Sequence, residues 1–573
     1  MRDRSCGLLA VEHRTETARG RRSIRPEEAN RGDLSRPALL GARRGRRRLA
    51  AVSVPPPAAA SGGSAAAPAA DRSASRAEVR RGDPAPPAGA ADSLLPALPG
   101  LPSEPLPAVD RAWLRMDEPE NLMVINGVLA FDGAVDAERL REIVRRRLLS
   151  IRRFRQRVVR DRRGRAAWQD DPAFDLDHHL VVEPLHPDRP SAGEEDDDEA
   201  LRRRIGGWMG EPLDPERPPW RFHLLTGYRG GAALVARLHH VIGDGIALML
   251  VLLSLTDLDP AGHPAGEAIA EAEAEAALGN PFAALFAQAE ADFEAVREAT
   301  ERVMPEGMKL LLHPAQALRS AGKLLRVAGS AGALGKLTFR RRDPRTVFKG
   351  PLAVAKRVAW SRPLALAEVR AIASALGGRT NDVLHAAAAG GLRRYLLRHG
   401  EPPERLVFRA AVPVNLRPLP EMARLGNRFG LVFLGLPVGI ADPRRRLVEL
   451  ARRVGALKRS AEPLVTYAVL GALGRVPRFA QRLVVRLLAT KTTAVLTSVP
   501  GPQQALYLAG RRIRDLFFWV PQAGRVGLGL SICSYDGQVR VGVATDAGLV
   551  PDPETVVAAI EEELAALAAA AGI

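Results

Sequence analysis

The chain has 573 residues, a formal net charge of +18 and only two cysteines. This length exceeds that of an ordinary single domain and predicts two domains plus tails, while two cysteines exclude a disulfide-stapled scaffold and favour the reducing cytoplasm. The positive charge alone does not indicate a nucleic-acid partner, and we expect none, because the aromatic residues are scattered and no zinc-finger or RNA-recognition pattern occurs.

Residues 1–103 are rich in Arg, Ala, Pro and Gly and show no hydrophobic periodicity. Such a segment cannot bury enough apolar surface to offset the entropy of ordering it. It also lacks the continuous apolar core of a secretory signal. We therefore predict a disordered low-complexity tail, or an extension that precedes a true translation start near Leu101.

Residues 104–266 alternate predicted strands with predicted helices, which is typical of an α/β layered domain. Asp136 is expected to cap a helix that continues to Leu149, and residues 201–210 are expected to form another helix. The acidic run 194–199 is interpreted as a solvated loop. Extended segments are predicted at residues 122–131, 174–182, 221–226 and 232–238.

The most informative segment is residues 239–245, His-His-Val-Ile-Gly-Asp-Gly, which follows a predicted strand and precedes an apolar helical stretch. Glycines in this segment permit a tight turn, so the imidazoles are expected at a loop, with that of His240 facing solvent. An imidazole that titrates near neutrality is a natural general base for a hydroxyl, amine or thiol. A structural histidine pair or a metal site is the alternative, although no third ligand has suitable spacing.

Residues 267–349 differ from their flanks. The first part is acidic and helical, whereas residues 307–342 hold no acidic residue and carry Lys and Arg among Leu and Val. We predict a helical crossover between two halves of the protein. The basic stretch is either a solvated helix face or a contact with an anionic membrane surface.

Residues 350–573 repeat the layered pattern of strands and helices. Asp442 and Pro443 are expected to start a helix, and residues 551–570 a closing helix. The longest apolar runs, 430–441 and 464–474, are interpreted as a buried strand and a core helix because neither is long enough to span a membrane. Further strands are predicted at residues 406–414, 429–438, 494–497, 516–520, 528–533 and 539–544.

A second basic amphipathic segment is predicted at residues 475–488. One face carries Arg475, Arg478, Arg482 and Arg486, and another carries Phe479, Leu483 and Leu487. This pattern describes most surface helices as well as helices that lie on a membrane.

Several segments, in order along the chain, resemble motifs of the bacterial wax ester synthase/diacylglycerol acyltransferase family, and together they are specific. Residues 239–245 match its HHxxxDG motif, which the wider CoA-dependent acyltransferase superfamily shares. Pro219 and Ser498 depart from the family pattern, since they replace the Leu of PLDxxRPLW and the Asn of NVPGP. The other matching segments are residues 212–220, 380–383, 413–417, 426–428, 498–502, 527–532 and 534–537.

The resemblance implies an α/β fold of two chloramphenicol-acetyltransferase-like domains, whose mixed sheets face each other across a central substrate tunnel. The N-terminal half would span residues 104–266 and the C-terminal half residues 350–573, with 267–349 as the crossover. The implied activity is O-acyl transfer from fatty acyl-CoA to diacylglycerol or a long-chain alcohol, forming triacylglycerol or wax ester. Acyl-CoA would be a substrate, with no cofactor, and the protein would lie at the inner membrane face or on lipid inclusions as a peripheral, cytoplasmic enzyme.

The HHxxxDG segment carries the predicted catalytic residues. His240, which has the HxxxD spacing, is the predicted general base, His239 is positional, and Asp244 is structural. The backbone N–H of Gly243, Asn381 and Ser498 are the predicted oxyanion donors, although Asn381 is equally suited to cap a helix. The other predicted substrate-binding residues are Trp220, Pro219, Gly245, Asp382, Pro500 and Gly501, and no metal ligand is predicted.

Two other functions stay open from the sequence. A peptide-synthetase condensation domain shares HHxxxDG, but the chain has no carrier or adenylation module. A catalytically silent lipid-binding homologue is favoured by the departures at Pro219 and Ser498 and opposed by the intact His240–Asp244 pair.

Overall fold

Mixed β-sheets and their covering helices form the fold in the computed structural model, which describes residues 94–188, 193–274, 280–303 and 341–573. Within these ranges the strands are β1 (Ser103–Pro105), β2 (Val124–Phe131), β3 (Gln156–Arg160), β4 (Ala166–Asp170), β5 (Leu180–Pro184), β6 (Trp220–Tyr228), β7 (Gly231–His239), β8 (Lys356–Trp360), β9 (Leu364–Ala365), β10 (Phe408–Asn415), β11 (Phe429–Leu436), β12 (Ala494–Pro500), β13 (Tyr507–Leu508), β14 (Arg511–Trp519), β15 (Leu528–Tyr535) and β16 (Gln538–Asp546). The helices are α1 (Ala108–Met116), α2 (Ala137–Ile143), α3 (Leu176–His179), α4 (Glu194–Met209), α5 (Gly245–Ser254), α6 (Ala265–Ala274), α7 (Ala283–Val303), α8 (Leu366–Leu376), α9 (Thr380–Arg398), α10 (Pro443–Lys458), α11 (Glu462–Leu473), α12 (Arg478–Ala489) and α13 (Pro553–Ala571).

The first large sheet has the strand order β13-β14-β2-β7-β6-β5 and is antiparallel except for the β5–β6 pair. Every residue of β2 and β7 is buried. Because both faces of the sheet are covered, β7 reads as a nearly continuous apolar run. Strand β7 ends at His239, which pairs with Val124 at the start of β2, so the histidines lie at one end of this sheet.

The second large sheet follows the order β11-β10-β12-β15-β16-β8, with β9 added on β16. Strand β12 is parallel to both of its neighbours, β10 and β15. Helices α8, α9, α10 and α13 pack apolar side chains against this sheet. Gly391 allows α9 to lie close to α13, because a Cβ there would stand 2.4 Å from Ile560 Cγ1.

Strand β14 links the two halves of the chain. It belongs to the range predicted as the C-terminal half, yet it pairs with β2 in the first sheet, with Leu516 opposite Leu129. The chain then continues into β15 of the second sheet. All described residues fall within one compact unit, Pro84–Ile573, and the mixed sheets confirm the predicted α/β layered fold.

The predicted tail extends too far towards the C-terminus. The Leu98 N–H donates to Gln169 Oε1 at 2.8 Å, and Gln169 Nε2 donates back to Leu98 O at 3.0 Å. The Arg160 N–H donates to Leu95 O at 2.8 Å. Residues 94–103 therefore belong to the folded part, because their backbone pairs with β3 and β4. The rest of the predicted tail, residues 1–93, lies outside the described residues.

The interpretation of residues 194–199 as a solvated loop is wrong, because these residues form the first turns of α4. Acidic side chains are favourable at a helix N-terminus, where the backbone N–H groups carry partial positive charge. In addition, Asp197 Oδ2 accepts from the Arg229 N–H at 2.6 Å. Asp198 accepts two bonds from the Arg229 guanidinium, at 2.9 and 2.6 Å, and one from the Tyr228 hydroxyl at 2.8 Å. The acidic run is thus tied to the β6–β7 turn.

Other predicted elements differ less. Residues 176–179 of the predicted extended segment form the short helix α3, and the helix capped by Asp136 ends in a π-helical turn, Val144–Leu148. The core helix and buried strand predicted from long apolar runs are confirmed as α11 and β11. Residues 304–340, with most of the predicted basic stretch, lie outside the described residues. Within the described ranges, no helix combines the length and the apolarity that a membrane crossing requires.

Candidate active site

The turn that carries His240 is clamped between the two halves of the fold. The His240 N–H donates to Met123 O at 2.7 Å, on the side of the first sheet. On the other side, the Gly426 N–H donates to Ile242 O at 3.0 Å, and the Asp244 N–H donates to Gly426 O at 3.3 Å. Gly426 has a φ of +101°, which favours glycine at this close approach. A loop of the second half therefore fixes the backbone of the HHxxxDG turn.

The imidazole of His240 is buried rather than solvent-facing, which corrects the expectation from the sequence. Only 8% of the residue is exposed. The ring stacks on Trp113 at 4.5 Å between centroids with 12° between planes, and Phe429 lies at 5.6 Å. A strand end followed by a glycine-rich turn predicted an exposed loop, but α1 and β11 cover it with aromatic side chains.

Asn427 determines which nitrogen of His240 carries the proton. Its Nδ2 donates to His240 O at 2.8 Å and to Asp110 Oδ1 at 2.8 Å. Both partners are acceptors, so they fix the orientation of the amide. The amide oxygen, Oδ1, then faces His240 Nδ1 at 2.8 Å and accepts the Nδ1–H bond. In the neutral ring this leaves Nε2 with a lone pair.

The electrostatic environment keeps this imidazole neutral. Burial lowers the pKa of His240 to about 4, and the nearby Asp244 carboxylate offsets only part of that effect. Burial also raises the pKa of Asp110 to about 6, against the hydrogen bonds from Asn427. A neutral ring with a bonded Nδ1–H and a free Nε2 is the protonation state that a general base requires.

Asp244 acts as a brace. Its carboxylate accepts from the Ala247 N–H at 3.1 Å, which caps α5, and from the Arg428 N–H at 3.0 Å. The Arg417 guanidinium lies 3.0 Å from Oδ1 and 2.9 Å from Oδ2, and Arg417 also donates to Gly426 O. Both carboxylate oxygens are thus engaged, and they connect the start of α5 to the loop that carries Asn427.

His239 lies on the other side of the turn from His240. Its Nδ1 accepts from the Val241 N–H at 3.0 Å, and its Nε2 stands 3.7 Å from Asp117 Oδ1. It faces a separate, small cavity of about 30 Å³ that Pro219 also lines. The geometry separates the two histidines, because consecutive residues at a strand end point to opposite faces.

His240 lines a cavity of about 390 Å³ whose wall comes from both halves of the fold. The first half contributes α1, β2, β7 and α5, and the second contributes β11, α11, α12 and β12. This volume falls within the usual range for small-molecule sites, about 300 to 1,000 Å³. Most wall side chains are apolar, including Met249, Leu252, Leu431, Phe433 and Leu488.

The predicted oxyanion donors fall in different places. Ser498 lines the cavity with Pro500, and its hydroxyl donates to Asn381 Oδ1 at 3.0 Å. Asn381 does not cap its helix, because Arg379 is the N-cap of α9 and Asp382 Oδ2 accepts the Arg379 N–H at 3.0 Å.

The glycines of the two motifs have different surroundings. Gly243 itself does not line the cavity, whereas the following Asp244 and Gly245 do. Within the described ranges no acceptor receives a hydrogen bond from the Gly243 N–H. Gly501 allows close packing, because a Cβ there would stand 2.3 Å from Ser534 O.

Trp220 and Pro219, predicted to bind substrate, lie away from the large cavity. The Trp220 indole is buried, donates to Phe154 O at 2.8 Å and stacks on His179 at 4.4 Å. The Pro219 carbonyl accepts from the His239 N–H at 3.0 Å. The PLDxxRPPW segment therefore supports the strand that ends in the histidines, and neither Trp220 nor Pro219 lines the large cavity.

Sequence reasoning assigned no role to four residues that shape the site. Asn427 and Arg417 lie in segments that resemble family motifs, so the resemblance could have identified them as site residues. Asp110 and Trp113 lie in α1, far from His240 in the sequence, and no local pattern marks them as its partners. Within the described residues, no group of three or more His, Cys, Asp or Glu could hold a metal ion.

Comparisons with known proteins agree with this geometry. The sequence model of the wax ester synthase/diacylglycerol acyltransferase catalytic domain matches residues 106–384, and that of the WS/DGAT C-terminal domain matches residues 425–568. The probable diacylglycerol O-acyltransferase tgs1 of Mycobacterium tuberculosis is 26% identical over 478 residues, which cover 81% of this chain and 96% of that protein.

Two solved structures show the same fold. The wax ester synthase/diacylglycerol acyltransferase from Marinobacter aquaeolei VT8 has a TM-score of 0.56 at 22% identity, covering 82% of this chain and all of that one. The first condensation domain of the calcium-dependent antibiotic synthetase has a TM-score of 0.51 at 17% identity, covering 82% of this chain and 96% of that one.

Proposed function

The chain belongs to the wax ester synthase/diacylglycerol acyltransferase family and is an acyltransferase, and we propose that it transfers a fatty acyl group from acyl-CoA to diacylglycerol or a long-chain alcohol. The product would be triacylglycerol or a wax ester. The observation that carries the proposal is the neutral His240 imidazole, held by Asn427 and lining an apolar cavity between the two halves.

His240 would act as general base and then as general acid. Nε2 accepts the proton of the acceptor hydroxyl as its oxygen attacks the thioester carbonyl, and a tetrahedral oxyanion forms. Collapse of the oxyanion breaks the carbon–sulfur bond, and the imidazolium returns the proton to the leaving CoA thiolate. No covalent acyl-enzyme is needed. Proton transfer of this kind contributes about a hundred- to ten-thousandfold in rate.

The oxyanion needs fixed donors, each of which contributes about 3 to 4 kcal/mol to the transition state. Gly243 is the first candidate, since its N–H has no acceptor among the described residues and the two residues that follow it line the cavity, although Gly243 itself does not. Ser498 is the second, because it lines the cavity, although its hydroxyl must turn away from Asn381. The amide of Asn381 is the third candidate.

The cavity wall favours acyl chains and a lipid acceptor. Most of its side chains are apolar, with Asp244, Asp292 and Lys491 as the charged exceptions, and a long alkyl chain gains about 0.8 kcal/mol for each CH₂ group that it buries there. Since such substrates reside in lipid rather than in water, we extend the proposal to peripheral contact with a membrane or lipid droplet, at its cytoplasmic face.

One assay tests the proposal. Purified protein is incubated with labelled palmitoyl-CoA and, in parallel, with hexadecanol or dipalmitoylglycerol, and the products are separated by thin-layer chromatography. We expect labelled ester from the wild type and none from His240→Ala. His239→Ala is the matched control, because it removes the neighbouring buried imidazole without touching the large cavity. Circular dichroism establishes that both variants are folded.

The outcomes separate the alternatives. Wild-type turnover by folded His240→Ala would refute the general-base role. Transfer only to an amine acceptor would favour a condensation-type enzyme. Binding of palmitoyl-CoA without transfer to any acceptor would favour a catalytically silent lipid-binding protein.

A further inference from the structure

Helix α12 exposes a stripe of large apolar side chains. Phe479 is 76% exposed, Leu483 69% and Leu487 44%. Their spacing of four residues places them along one side of the helix. We call Phe479, Leu483 and Leu487 the α12 stripe.

The stripe is unusual among the described residues. Phe479 and Leu483 are the two most exposed large apolar side chains there, ahead of Val448 at 59% and Leu397 at 51%. Single exposed apolar residues are normal on protein surfaces, whereas a contiguous patch indicates an interaction site.

The opposite side of α12 faces the active site. Val484, Val485 and Leu488 line the cavity that holds His240, and Leu487 belongs both to that wall and to the exposed stripe. A single helix therefore separates the cavity from the outside. Its inner side is anchored, because buried Gln481 donates to Ala112 O at 2.7 Å on α1, the helix that carries Trp113.

Cations flank the stripe. Arg486 and Arg482 lie three residues after Leu483 and Phe479, respectively, so they follow one edge of it. Arg486 is exposed and has no ion pair among the described residues, whereas Arg482 lies 3.4 Å from Glu118. Exposed Arg475 stands just before the helix. An apolar stripe with an arginine edge is the arrangement of helices that lie in a membrane interface.

We propose that the α12 stripe inserts into a phospholipid surface and that lipid substrates enter the cavity past Leu487. Arg486 and Arg475 would contact headgroup phosphates while Phe479 and Leu483 enter the acyl region. The identity of the substrate rests on the proposed function, but the binding surface does not. A second copy of the chain fits the surface less well, because a symmetric contact would place the arginine edges of two copies close together.

The test uses the full chain and vesicles of phosphatidylcholine with a minority of phosphatidylglycerol. Co-sedimentation is measured for the wild type, for Phe479→Ser/Leu483→Ser and for Leu397→Ser/Val448→Ser, a matched control that removes the same number of exposed apolar side chains elsewhere. Neither pair lines the cavity. Light scattering reports the oligomeric state, and thermal unfolding reports the fold.

We expect the α12 variant to bind vesicles at least about tenfold more weakly than the wild type, which corresponds to about 1.4 kcal/mol, while the control binds normally. Arg486→Gln should reduce binding at low salt and have little effect at high salt, because salt screens the arginine–phosphate attraction. Turnover of butanol, a water-soluble acceptor, should be the same in wild type and α12 variant.

Three results would overturn the proposal: no vesicle binding by the wild type, normal binding by the folded α12 variant, or a wild-type dimer that this variant converts to a monomer without loss of vesicle binding. Failure of the proposed function gives a different result, since the wild type would then bind vesicles and the α12 variant would not, while neither transfers an acyl group.

Discussion

Asn427 Oδ1 lies 2.8 Å from His240 Nδ1, while the Nδ2 of the same amide donates to His240 O. One side chain of the second half thus contacts both the ring and the backbone of the histidine in the first half. The Asn427 backbone N–H also donates to Asp110 Oδ1 at 2.9 Å. The hydrogen-bonded surroundings of His240 are therefore complete only when both halves of the fold are docked.

Asn427→Ala should lower the rate of transfer by about a hundredfold, because the proton of the neutral ring is no longer held on Nδ1 and part of the general-base contribution is lost. Nitrogen NMR of labelled histidine measures the tautomer directly, and the assay with palmitoyl-CoA measures the rate.

Asn121→Ala is the matched control for Asn427→Ala. Asn121 is also buried and donates to Gly524 O and Val526 O at 2.9 and 3.1 Å, with no bond to His240. It should lose stability without changing the tautomer. If Asn427→Ala retains the Nδ1–H tautomer and the wild-type rate, Asn427 is only a packing residue.

The sequence was sufficient to predict that Asp244 is structural and that it shares one turn with His240, because both stand within one short motif with a characteristic spacing. It could not identify Asp110 or Asn427 as their partners, since these residues are separated by 317 positions and meet only through docking of the two halves. Long-range pairs of this kind leave no periodicity in the chain.

Trp220 and residues 194–199 have surroundings that their local sequence does not indicate. The indole of Trp220 is buried beside the histidine strand, donates to Phe154 O and lies outside the wall of the large cavity. The acidic composition of residues 194–199 predicts a solvated loop, whereas these residues begin helix α4. This helix depends on Arg229, more than 30 residues away, and on the backbone charge at a helix start.

The pH dependence of transfer should be that of a histidine with a lowered pKa. Since burial lowers the pKa of His240 to about 4, the ring is neutral far below its ordinary value. We expect kcat/KM to stay constant from about pH 8 to about pH 5 and to fall only near pH 4. If kcat/KM instead falls near pH 6, and this fall disappears in the Asp110→Asn variant, the titrating group is Asp110.

Stability follows from the same shift. The unfolded chain binds a proton at His240 near pH 6.5 and the folded chain only near pH 4, so this group contributes stability above pH 6.5 that is lost as the pH falls towards 4. Chemical denaturation should therefore show the wild type losing stability relative to His240→Gln in that window. A constant difference between the two proteins would contradict the lowered pKa.

Removing residues 1–93 should leave both activity and melting temperature unchanged, whereas removing residues 1–101 should lower the melting temperature. The second deletion removes Leu95 and Leu98, whose backbone groups bond to Arg160 and Gln169. Buried groups left without partners cost about 1 to 3 kcal/mol each. Differential scanning calorimetry of both truncated proteins checks this, and equal melting temperatures would show that the contacts at residues 94–101 contribute nothing.

Asp244→Ala should destabilise the protein far more than Asp442→Ala, although both aspartates cap a helix. Asp442 is exposed, so its loss costs only a cap, about 1 kcal/mol. Asp244 is buried against Arg417, whose side chain is 3% exposed. Removing one partner of a buried ion pair leaves an uncompensated charge and costs about 3 to 5 kcal/mol.

The double variant Asp244→Ala/Arg417→Met should therefore be more stable than the sum of its single changes predicts. Urea denaturation of the four variants measures this coupling, and acyl transfer should fall with it, because the pair aligns the His240 turn with the Asn427 loop. Equal losses for Asp244→Ala and Asp442→Ala would show that Arg417 adds nothing beyond the helix cap.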